Sequence, residues 1–520
     1  MNTPATLPLV PRHPAVVAAL GSAGTTRPTQ SWGRGIDGQR LADLGDGSFR
    51  NPVVAGDHPN PAILKDGPDY YMTFSSRQSC PGAVVWHSRD LVNWVPIAAA
   101  LNQPLGTGSP TDLVRHNGRY FLYLPLLRPQ GVGIHVMHAD SIRGPWSDPV
   151  DLELQGCLDP AHVVGEDGRR HLFVNGDRRV GLTDDGLATV GGLVHAQTAR
   201  SAAPAAIAGA KLLRRGDFFY RVQAQGANAL DGHVVKVARA PSIAGPWQDG
   251  PFSLIDSAAD GPWRTSGPAS LVEGQAGDWW MLCHGHESGY RTLGRQVLLA
   301  PIEWTRDGWP RSNGDPLDRA QRKPRGGSVL AAGLSLSDDF THDRLGLQWT
   351  FQDATPEDLQ RARYDGTGLT LRGKGTGLSD CSPLTCLAGD RSYTAEIEFE
   401  LEGAAQGGLA LFHDARGFVG VGIGDGQMHT YSYGQRHGWM RQAVQGQHHR
   451  LRVTNRRHLL TFEHAIGDGP WTCNPWLTEV SALHQTAVSS LASLRPALFA
   501  AGDGEVRLRH FSYNGIGPEP

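Results

Sequence analysis

The sequence predicts an all-β protein in which a five-bladed β-propeller is followed by a β-sandwich of jelly-roll or concanavalin-like type. Glycine supplies 66 of the 520 residues, nearly double its usual share of about 7%, and 35 prolines accompany it. Such a composition indicates many tight turns between short strands. In addition, one short motif recurs five times before residue 320, and the pattern of strands changes after residue 325.

The recurring motif is a short apolar strand, a glycine turn and an aromatic-rich strand, which together predict a β-hairpin. The turn glycines step along the chain by 51, 50, 48 and 61 residues and are Gly67, Gly118, Gly168, Gly216 and Gly277. A four-stranded unit of about 50 residues, repeated five times, predicts a propeller over residues 31–322. After three of the hairpins, a second motif predicts an outer strand closed by Trp94, Trp146 or Trp247.

The other segments have compositions of their own. Residues 1–30 are rich in Ala, Pro, Thr and Gly and are predicted to be disordered. Residues 323–336 are basic and turn-rich at their start, which predicts a linker. Alternating strands over 337–520 predict the sandwich.

Charge, hydropathy and cysteine content argue against several classes of function. A net charge of −3 argues against a nucleic-acid binder, and no apolar run reaches the length of about 18 residues that a membrane helix needs. The six cysteines match no zinc spacing and predict free thiols, so we expect no metal and no cofactor. Because no basic segment precedes an apolar run at the N-terminus, we expect a cytoplasmic protein.

Propeller geometry indicates where a ligand site would lie. The innermost strand of each blade lines the central channel, and the residue that enters it stands at the channel mouth. The positions concerned are Asn60, Thr111 or Asp112, Asp159, Ala208, and Gly267 or Pro268. Of these, Asp112 and Asp159 are ionisable, which makes them candidate catalytic groups.

Several stretches between Ser31 and Pro310 resemble glycoside hydrolase family 43, which includes β-xylosidases and α-L-arabinofuranosidases. They are Asn51-Pro-Val-Val-Ala-Gly-Asp-His-Pro59, Asp69-Tyr-Tyr-Met-Thr-Phe-Ser-Ser76, His87-Ser-Arg-Asp-Leu-Val-Asn-Trp94, Ser141-Ile-Arg-Gly-Pro-Trp-Ser147, Leu158-Asp-Pro160, Gly209-Ala-Lys-Leu-Leu213 and Thr292-Leu-Gly-Arg-Gln296. The sandwich that opens at Asp338-Asp-Phe340 resembles the accessory domain of the xylosidase branch. The resemblance implies inverting hydrolysis, with a carboxylate base, a carboxylic acid and a third carboxylate that tunes the acid.

The resemblance also implies that the catalytic positions are altered. The base position of the His-Pro-Asp-Pro phrase holds Asn60, and the acid position of the Glu-Gly-Pro phrase holds Ala208. Neither side chain can exchange a proton at neutral pH. The tuning carboxylate matches Asp159, whereas a central histidine of the fifth blade is replaced by Pro268.

Further candidates surround these positions. Arg295 matches a substrate-binding arginine of the family, and Arg77 stands where an aromatic residue is common. Asp112 is the best remaining carboxylate, with backbone bonding as its alternative role, and His233 is a candidate proton donor or sugar contact. Trp263 and Tyr290 are candidate stacking surfaces or core residues. Three residues either border the pocket or form a polar loop, namely His284, His286 and Glu287.

Three functions stay open on this evidence. The first is a glycosidase or transglycosylase that acts on arabinofuranosyl, xylosyl or similar glycosides with a non-standard acid/base set. The second is a catalytically lapsed protein that binds glycans without hydrolysing them, and the third is a structural role without a sugar site. We expect a glycan partner and no nucleic-acid or membrane partner; the oligomeric state is not predicted.

Overall fold

Five antiparallel sheets in the first part of the chain form a five-bladed β-propeller. The structure is a computed structural model that describes residues 31–106, 111–128, 131–196, 207–226, 233–256, 261–488 and 491–517. The predicted disorder of residues 1–30 falls outside these ranges.

The strands of each blade follow one another along the chain from the channel outward. In the first three blades they are Ala62–Asp66, Asp69–Thr73, Gly82–Ser88 and Val95–Leu101; Asp112–His116, Arg119–Arg128, Gly131–Ala139 and Val150–Gln155; and Ala161–Val164, Arg170–Val174, Arg178–Leu182 and Thr189–His195. In the last two they are Ile207–Arg215, Phe218–Gln225, Val234–Ala240 and Gln248–Asp256; and Ser270–Glu273, Trp279–Glu287, Arg295–Trp304 and Pro310–Ser312, with Trp263–Thr265 also paired to the second strand of the fifth blade. The first strands of neighbouring blades contact one another, which identifies them as the channel lining.

The turn glycines explain why the repeat is visible in the sequence. All five have a positive φ, from 58° at Gly216 to 83° at Gly118, in the left-handed region that glycine adopts without steric cost. The hairpins predicted from the repeat are therefore confirmed. The tryptophan motif differs from its prediction, because Trp94, Trp146 and Trp247 lie in the connection between the third and fourth strands. Trp94 and Trp247 are buried there and pack between sheets.

The propeller is closed by a segment that precedes the first blade. Val53 N–H donates to the Val297 carbonyl at 2.9 Å, and Val297 N–H donates to the Val54 carbonyl at 3.0 Å. The Asn51 side chain accepts from Leu299 N–H and donates to its carbonyl. Short pairs outside the blades are Gly33–Arg34 with Arg40–Leu41, and Ser48–Phe49 with Gln321–Arg322. The chain before blade one is thus hydrogen-bonded to blade five, which closes the ring.

The C-terminal part is a β-sandwich built around two long strands, Ser392–Asp414 and Arg495–Gly515, which pair along most of their length. Gly403 and Gly502 lie near the middle of these strands with positive φ, and apolar residues from both halves face one core. The other strands are Thr350–Gln352, Ala362–Tyr364, Leu369–Arg372, Leu384–Thr385, Gly417–Gly424, Gln427–Ser432, Gln435–Ala443, His448–Arg456, Leu459–Ile466, Thr472–Cys473 and Thr478–Glu479. Both parts of the predicted all-β fold are confirmed.

The propeller and the sandwich share secondary structure. Ser79–Cys80, from the first blade's connection, pairs with Thr350–Gln352 of the sandwich. Trp32–Pro520 accordingly forms one compact unit. The predicted boundaries at 322 and 336 stay predictions. In the described ranges the helices are short, and none is long and apolar enough to cross a membrane; they are Ile36–Gly38, Arg291–Leu293, Asp358–Gln360 and Gln485–Val488.

Candidate active site

The starts of the inner strands converge at one end of the channel. Asp159 Oδ2 accepts a hydrogen bond from Gly209 N–H at 2.7 Å, which joins the third blade to the fourth. A Cβ added at Gly209 would lie 2.5 Å from Pro268 Cγ of the fifth blade, and one added at Gly267 would lie 3.3 Å from Asn60 Oδ1 of the first blade. The structure therefore brings together three of the five predicted mouth positions, Asn60, Asp159 and Gly267 or Pro268, and Gly209 is the neighbour of a fourth, Ala208.

Asn60 and Asp159 share an unusual backbone conformation. Their φ angles are 56° and 53°, in the left-handed region where Asn and Asp are several-fold enriched among non-glycine residues. Each stands two residues before an inner strand, since these strands begin at Ala62 and Ala161. The repeat thus presents both side chains in the same way from two blades.

Asn60 is buried, and both its backbone N–H and its side-chain amide nitrogen are hydrogen-bonded. Its backbone N–H donates to His284 Nδ1 at 3.0 Å, and its side-chain Nδ2 donates to Ser75 Oγ at 3.2 Å. His284 Nδ1 is therefore an acceptor, which leaves Nε2 as the protonated nitrogen facing Ser266 Oγ at 3.1 Å. Burial, reinforced by the charge of Arg295, holds the pKa of His284 well below its ordinary value. Asn60 is the donor in both of these hydrogen bonds, and neither partner is a carboxylate.

Asp112 is held by a cation from across the channel. Lys211, in the inner strand of the fourth blade, lies with Nζ 3.1 Å from Asp112 Oδ1 in the second blade and also donates to the Thr111 carbonyl. The second oxygen, Asp112 Oδ2, accepts from His162 N–H at 2.7 Å. Both carboxylate oxygens are thus occupied, an arrangement that suits the backbone-bonding role better than a catalytic one.

The acid position lies beside an irregularity of the fourth blade. Ala208 pairs with Ala224, and the register then shifts before Lys211. Gly209, within the shift, has a φ of 65°. Bulges of this kind re-aim neighbouring groups and are frequent beside active sites. Here the bulge turns Gly209 N–H toward Asp159.

Asp57 and Arg295 form a buried ion pair beside the mouth. Arg295 Nε and Nη2 lie 3.1 and 3.2 Å from the two carboxylate oxygens, and Arg295 N–H donates to Oδ1 at 2.8 Å. A Cβ at Gly294 would come within 2.5 Å of Asp57 Oδ1, so the glycine before Arg295 is what permits this approach. Burial alone would raise the pKa of Asp57, but Arg295 and Arg495 hold it well below its usual range.

His233 closes another contact at the mouth. His233 Nδ1 accepts a hydrogen bond from Gly267 N–H at 2.7 Å, and the backbone N–H of His233 donates to the Thr265 carbonyl. Burial lowers the pKa of this imidazole. In the neutral imidazole Nε2 then carries the proton, so His233 can donate a hydrogen bond through Nε2–H at neutral pH.

The sandwich contributes directly to this end of the propeller. The Leu491 carbonyl accepts from Arg295 Nη2 at 2.9 Å, and the Gln485 side chain lies 2.9 Å from His286 Nε2. Thr486 Oγ1 accepts from Arg291 at 3.1 Å. Gln485, Thr486 and Leu491 are therefore sandwich residues that border the candidate site.

The aromatic candidates occupy different surroundings. Trp263 is 6% exposed and packs in a hydrophobic cluster with Tyr220 and Met281, in keeping with its alternative role as a core residue. Tyr290 is partly exposed, with the Arg391 guanidinium 4.6 Å from its ring centroid. His284, His286 and Glu287 lie buried within Trp279–Glu287, so the polar-loop alternative is wrong for them.

A sequence profile of glycosyl hydrolases family 43 matches residues 49–310, which is half of the chain. The chain belongs to this family. A non-reducing end α-L-arabinofuranosidase of Bacteroides ovatus is 30% identical over 333 residues, which cover 59% of this chain and 62% of that protein. A xylosidase/arabinosidase of Humicola insolens is 27% identical over 364 residues, 63% of this chain and 65% of that protein. The chain thus spans about three fifths of the length of these curated relatives.

Solved family 43 structures share the whole architecture. The BlXynB protein of Bacillus licheniformis superposes with a TM-score of 0.81 at 22% identity, covering 90% of this chain and all of that one. The xyloglucan-locus family 43 protein of Bacteroides ovatus gives 0.79 at 21% identity over the same share of this chain. At this identity the likeness concerns the fold, propeller and sandwich together.

The sequence of this family 43 chain does not by itself mark Lys211, Ser75 and Arg495 as parts of the site. Lys211 stands in a quoted motif, and its position within that motif was the available signal. Arg495 lies 200 residues beyond Arg295 in another domain, where no local pattern marks it. In the described part of the chain, no group of three His, Cys, Asp or Glu residues is placed to hold a metal.

Proposed function

We propose that the propeller mouth processes arabinofuranosyl, xylosyl or similar glycosides as a glycosidase or transglycosylase with a non-standard acid/base set. Asp159 is its carboxylate, and the neutral imidazole of His233 is a hydrogen-bond donor to the glycoside through Nε2–H. The observation that carries the proposal is the convergence of Asp159, Gly209, Pro268 and Asn60 at one channel mouth in a family 43 propeller. The names of the relatives support the sugar class.

The proposed acid/base set differs from paired-carboxylate hydrolysis because two of the expected carboxylates are replaced. Asn60 and Ala208 take the positions that the family resemblance assigns to base and acid, and neither carries a titratable group. Asp57 and Asp112, two further carboxylates at this end, are paired with Arg295 and Lys211 respectively. Loss of a general acid or base typically slows the chemical step by about 10²–10⁴-fold, so we expect slow turnover.

The second candidate is a protein that binds glycans without cleaving them. The Asn60 amide favours it, because that side chain donates to Ser75 Oγ where a base would have to accept a proton. An intact mouth without a proton acceptor at Asn60 still offers hydrogen bonds to a sugar. The two candidates differ in turnover and not in affinity.

The deciding experiment compares four full-length proteins on p-nitrophenyl α-L-arabinofuranoside, β-xyloside and galactofuranoside. These are the native chain, Asp159→Asn, the double variant Asn60→Asp/Ala208→Glu, and Asp140→Asn as a control. Asp140 is a carboxylate of the same propeller that is 87% exposed, away from the inner strands. We expect slow native turnover that Asp159→Asn abolishes and Asp140→Asn leaves unchanged, and a rate about 10²–10⁴-fold higher in the double variant.

Other outcomes separate the candidates. No native turnover, together with sugar-dependent thermal stabilisation and activity gained by the double variant, would establish the binding protein. Turnover by the native chain that persists in Asp159→Asn would contradict the role of Asp159 but would still support glycosidase activity.

A further inference from the structure

Two buried arginines lie beside the mouth. The Arg295 and Arg495 side chains are 5% and 8% exposed, and they share one carboxylate, Asp57. Arg295 makes two close contacts with it, whereas Arg495 Nη2 lies 4.0 Å from Asp57 Oδ2. Among the residues that the structure describes, no other carboxylate lies within 4.0 Å of either guanidinium.

The remaining partners of Arg495 are uncharged. Its Nε donates to Ser493 Oγ at 3.3 Å, and its Nη1 lies 3.5 Å from Ser79 Oγ. Within 4.0 Å, two guanidinium charges therefore face one carboxylate. A buried charge that lacks a partner costs several kcal/mol, so this arrangement is one that an anionic ligand would stabilise.

The neighbouring carboxylates lie farther from the Arg495 guanidinium than Asp57 does. Asp353 interacts with Arg495 only through longer-range charge; burial raises the pKa of Asp353, and the charge of Arg495 lowers it. Asp414 Oδ2 lies 3.4 Å from His413 Nδ1.

Two histidines near these arginines have lowered pKa values. Burial lowers the pKa of His58 to about 4, although the charge of Asp57 opposes this shift more strongly than Arg495 supports it. Burial and then Arg295 lower that of His286 to about 3. Burial, followed by the charges of Arg295 and Arg495, also lowers the pKa of Arg77 to about 9, although Asp57 opposes the shift. Both imidazoles are therefore neutral at pH 7 and add no charge of their own.

A cavity makes this charge available to a ligand. It has a volume of about 170 Å³, several times what one water needs, and Asp57, His58, Ser75, Arg77 and Arg495 are among its lining residues. Ser75 also accepts the Asn60 side-chain amide, so the cavity adjoins the mouth. Guanidinium groups present a planar fork that matches a carboxylate in bidentate geometry.

We propose that Arg495 and Arg77, together with Arg295, form a subsite for the carboxylate of a uronic-acid sugar whose ring lies at the propeller mouth. The inference rests on the proposed function only in taking the mouth as a glycoside site. It names a substrate class that carries a negative charge, and it gives the sandwich a role in specificity, because Arg495 belongs to the long sandwich strand.

The test is calorimetric titration of the full chain with methyl D-glucuronide and methyl D-galacturonide against the neutral methyl D-glucoside and D-galactoside. We expect the acidic sugars to bind about tenfold or more tightly than their neutral counterparts, as expected of a charge-assisted hydrogen bond. Arg495→Gln should remove this preference. Arg77→Gln should weaken it, and decides the question if Arg495→Gln does not fold. Arg452→Gln is the matched control, since Arg452 has Glu396 and Glu463 as its own carboxylate partners in the sandwich.

Equal affinity for acidic and neutral sugars would overturn the subsite, and so would a preference that survives in Arg495→Gln and Arg77→Gln. Inorganic sulfate that binds as tightly as the uronides would overturn its assignment to a sugar. Turnover of neutral glycosides without any uronide preference would leave the proposed function standing and the subsite rejected. Uronide binding lost in Arg495→Gln, without turnover of any glycoside, would leave the subsite standing and hydrolysis rejected.

Discussion

Asp57 shows how one buried carboxylate organises several residues of the site. It accepts from Arg295 N–H and from the Arg295 guanidinium, and it faces Arg495. The structure places it in an ion pair that is almost wholly buried. Its stability contribution and its pH dependence follow from that burial.

Asp57→Asn should therefore lower the free energy of unfolding by about 3–5 kcal/mol at pH 7, because it leaves two buried guanidinium groups without a carboxylate. Urea denaturation measures this change, and the exposed Asp140→Asn should stay within about 0.5 kcal/mol of the native chain.

The pH dependence of the same variant has a definite sign. Arg295 and Arg495 depress the folded pKa of Asp57 below its unfolded value of about 3.9. The stabilisation is then fully present above that pH and is lost as the pH falls toward the folded pKa. The difference between native chain and Asp57→Asn should shrink progressively below pH 4; a difference that stays constant between pH 3 and pH 7 would contradict this account.

Among the elements, the inner strands of the second and fourth blades are joined across the channel by Asp112 and Lys211. This pair bypasses the third blade and fills part of the channel with a buried salt bridge. The mouth therefore depends on strands that are not neighbours in the ring.

Lys211→Met should destabilise the protein by about 3–5 kcal/mol, because Asp112 keeps its buried charge and loses its cation. The double variant Lys211→Met/Asp112→Asn should recover part of the loss, since an amide oxygen can still accept from His162 N–H. A thermodynamic cycle on the two variants measures the coupling, expected at about 0.5–3 kcal/mol. Arg363→Met, which breaks an exposed pair with Glu505, should cost at most about 1 kcal/mol. Strictly additive effects of Lys211→Met and Asp112→Asn would contradict the cross-channel role.

At the scale of the whole molecule, Glu287 ties three segments together. It is buried in the fifth blade and pairs with Arg40, which precedes the propeller, at 3.1 Å, and with Arg391 of the sandwich. Burial would raise the pKa of Glu287, but these two arginines lower it. The ion pairs hold the sandwich against the mouth, where Leu491 and Gln485 meet Arg295 and His286.

Glu287→Gln should lower the free energy of unfolding by about 3–5 kcal/mol, because the change removes the carboxylate that pairs with the buried Arg40 guanidinium, which is 4% exposed. Glu273→Gln is the matched control in the same blade; its carboxylate is 48% exposed and lies 4.0 Å from Lys65, so its effect should stay within about 0.5 kcal/mol. Equal effects of the two variants in urea denaturation would show that Glu287 does not couple the domains.

The sequence by itself determined the all-β class, the five blades and the family. These properties are local, because a turn glycine and an aromatic strand repeat within about 50 residues, and each of the five glycines has the positive φ that its turn requires. The positions at the mouth follow from the same repeat, which is why Asn60 and Asp159 could be named without coordinates. Whether they take part in catalysis stays a prediction.

Only the tertiary structure decided which charges meet. Lys211 and Asp112 are 99 residues apart in the chain, Arg295 and Asp57 are 238 apart, and Arg495 comes from another domain. The strength of an ion pair depends on distance and burial, and neither has a signature in local sequence. Trp263 shows the same limit for packing, since its neighbours and not its own motif place it in a core cluster. Local motifs in the sequence thus specified the strands and turns, whereas the fold specified which charged side chains pair at the site.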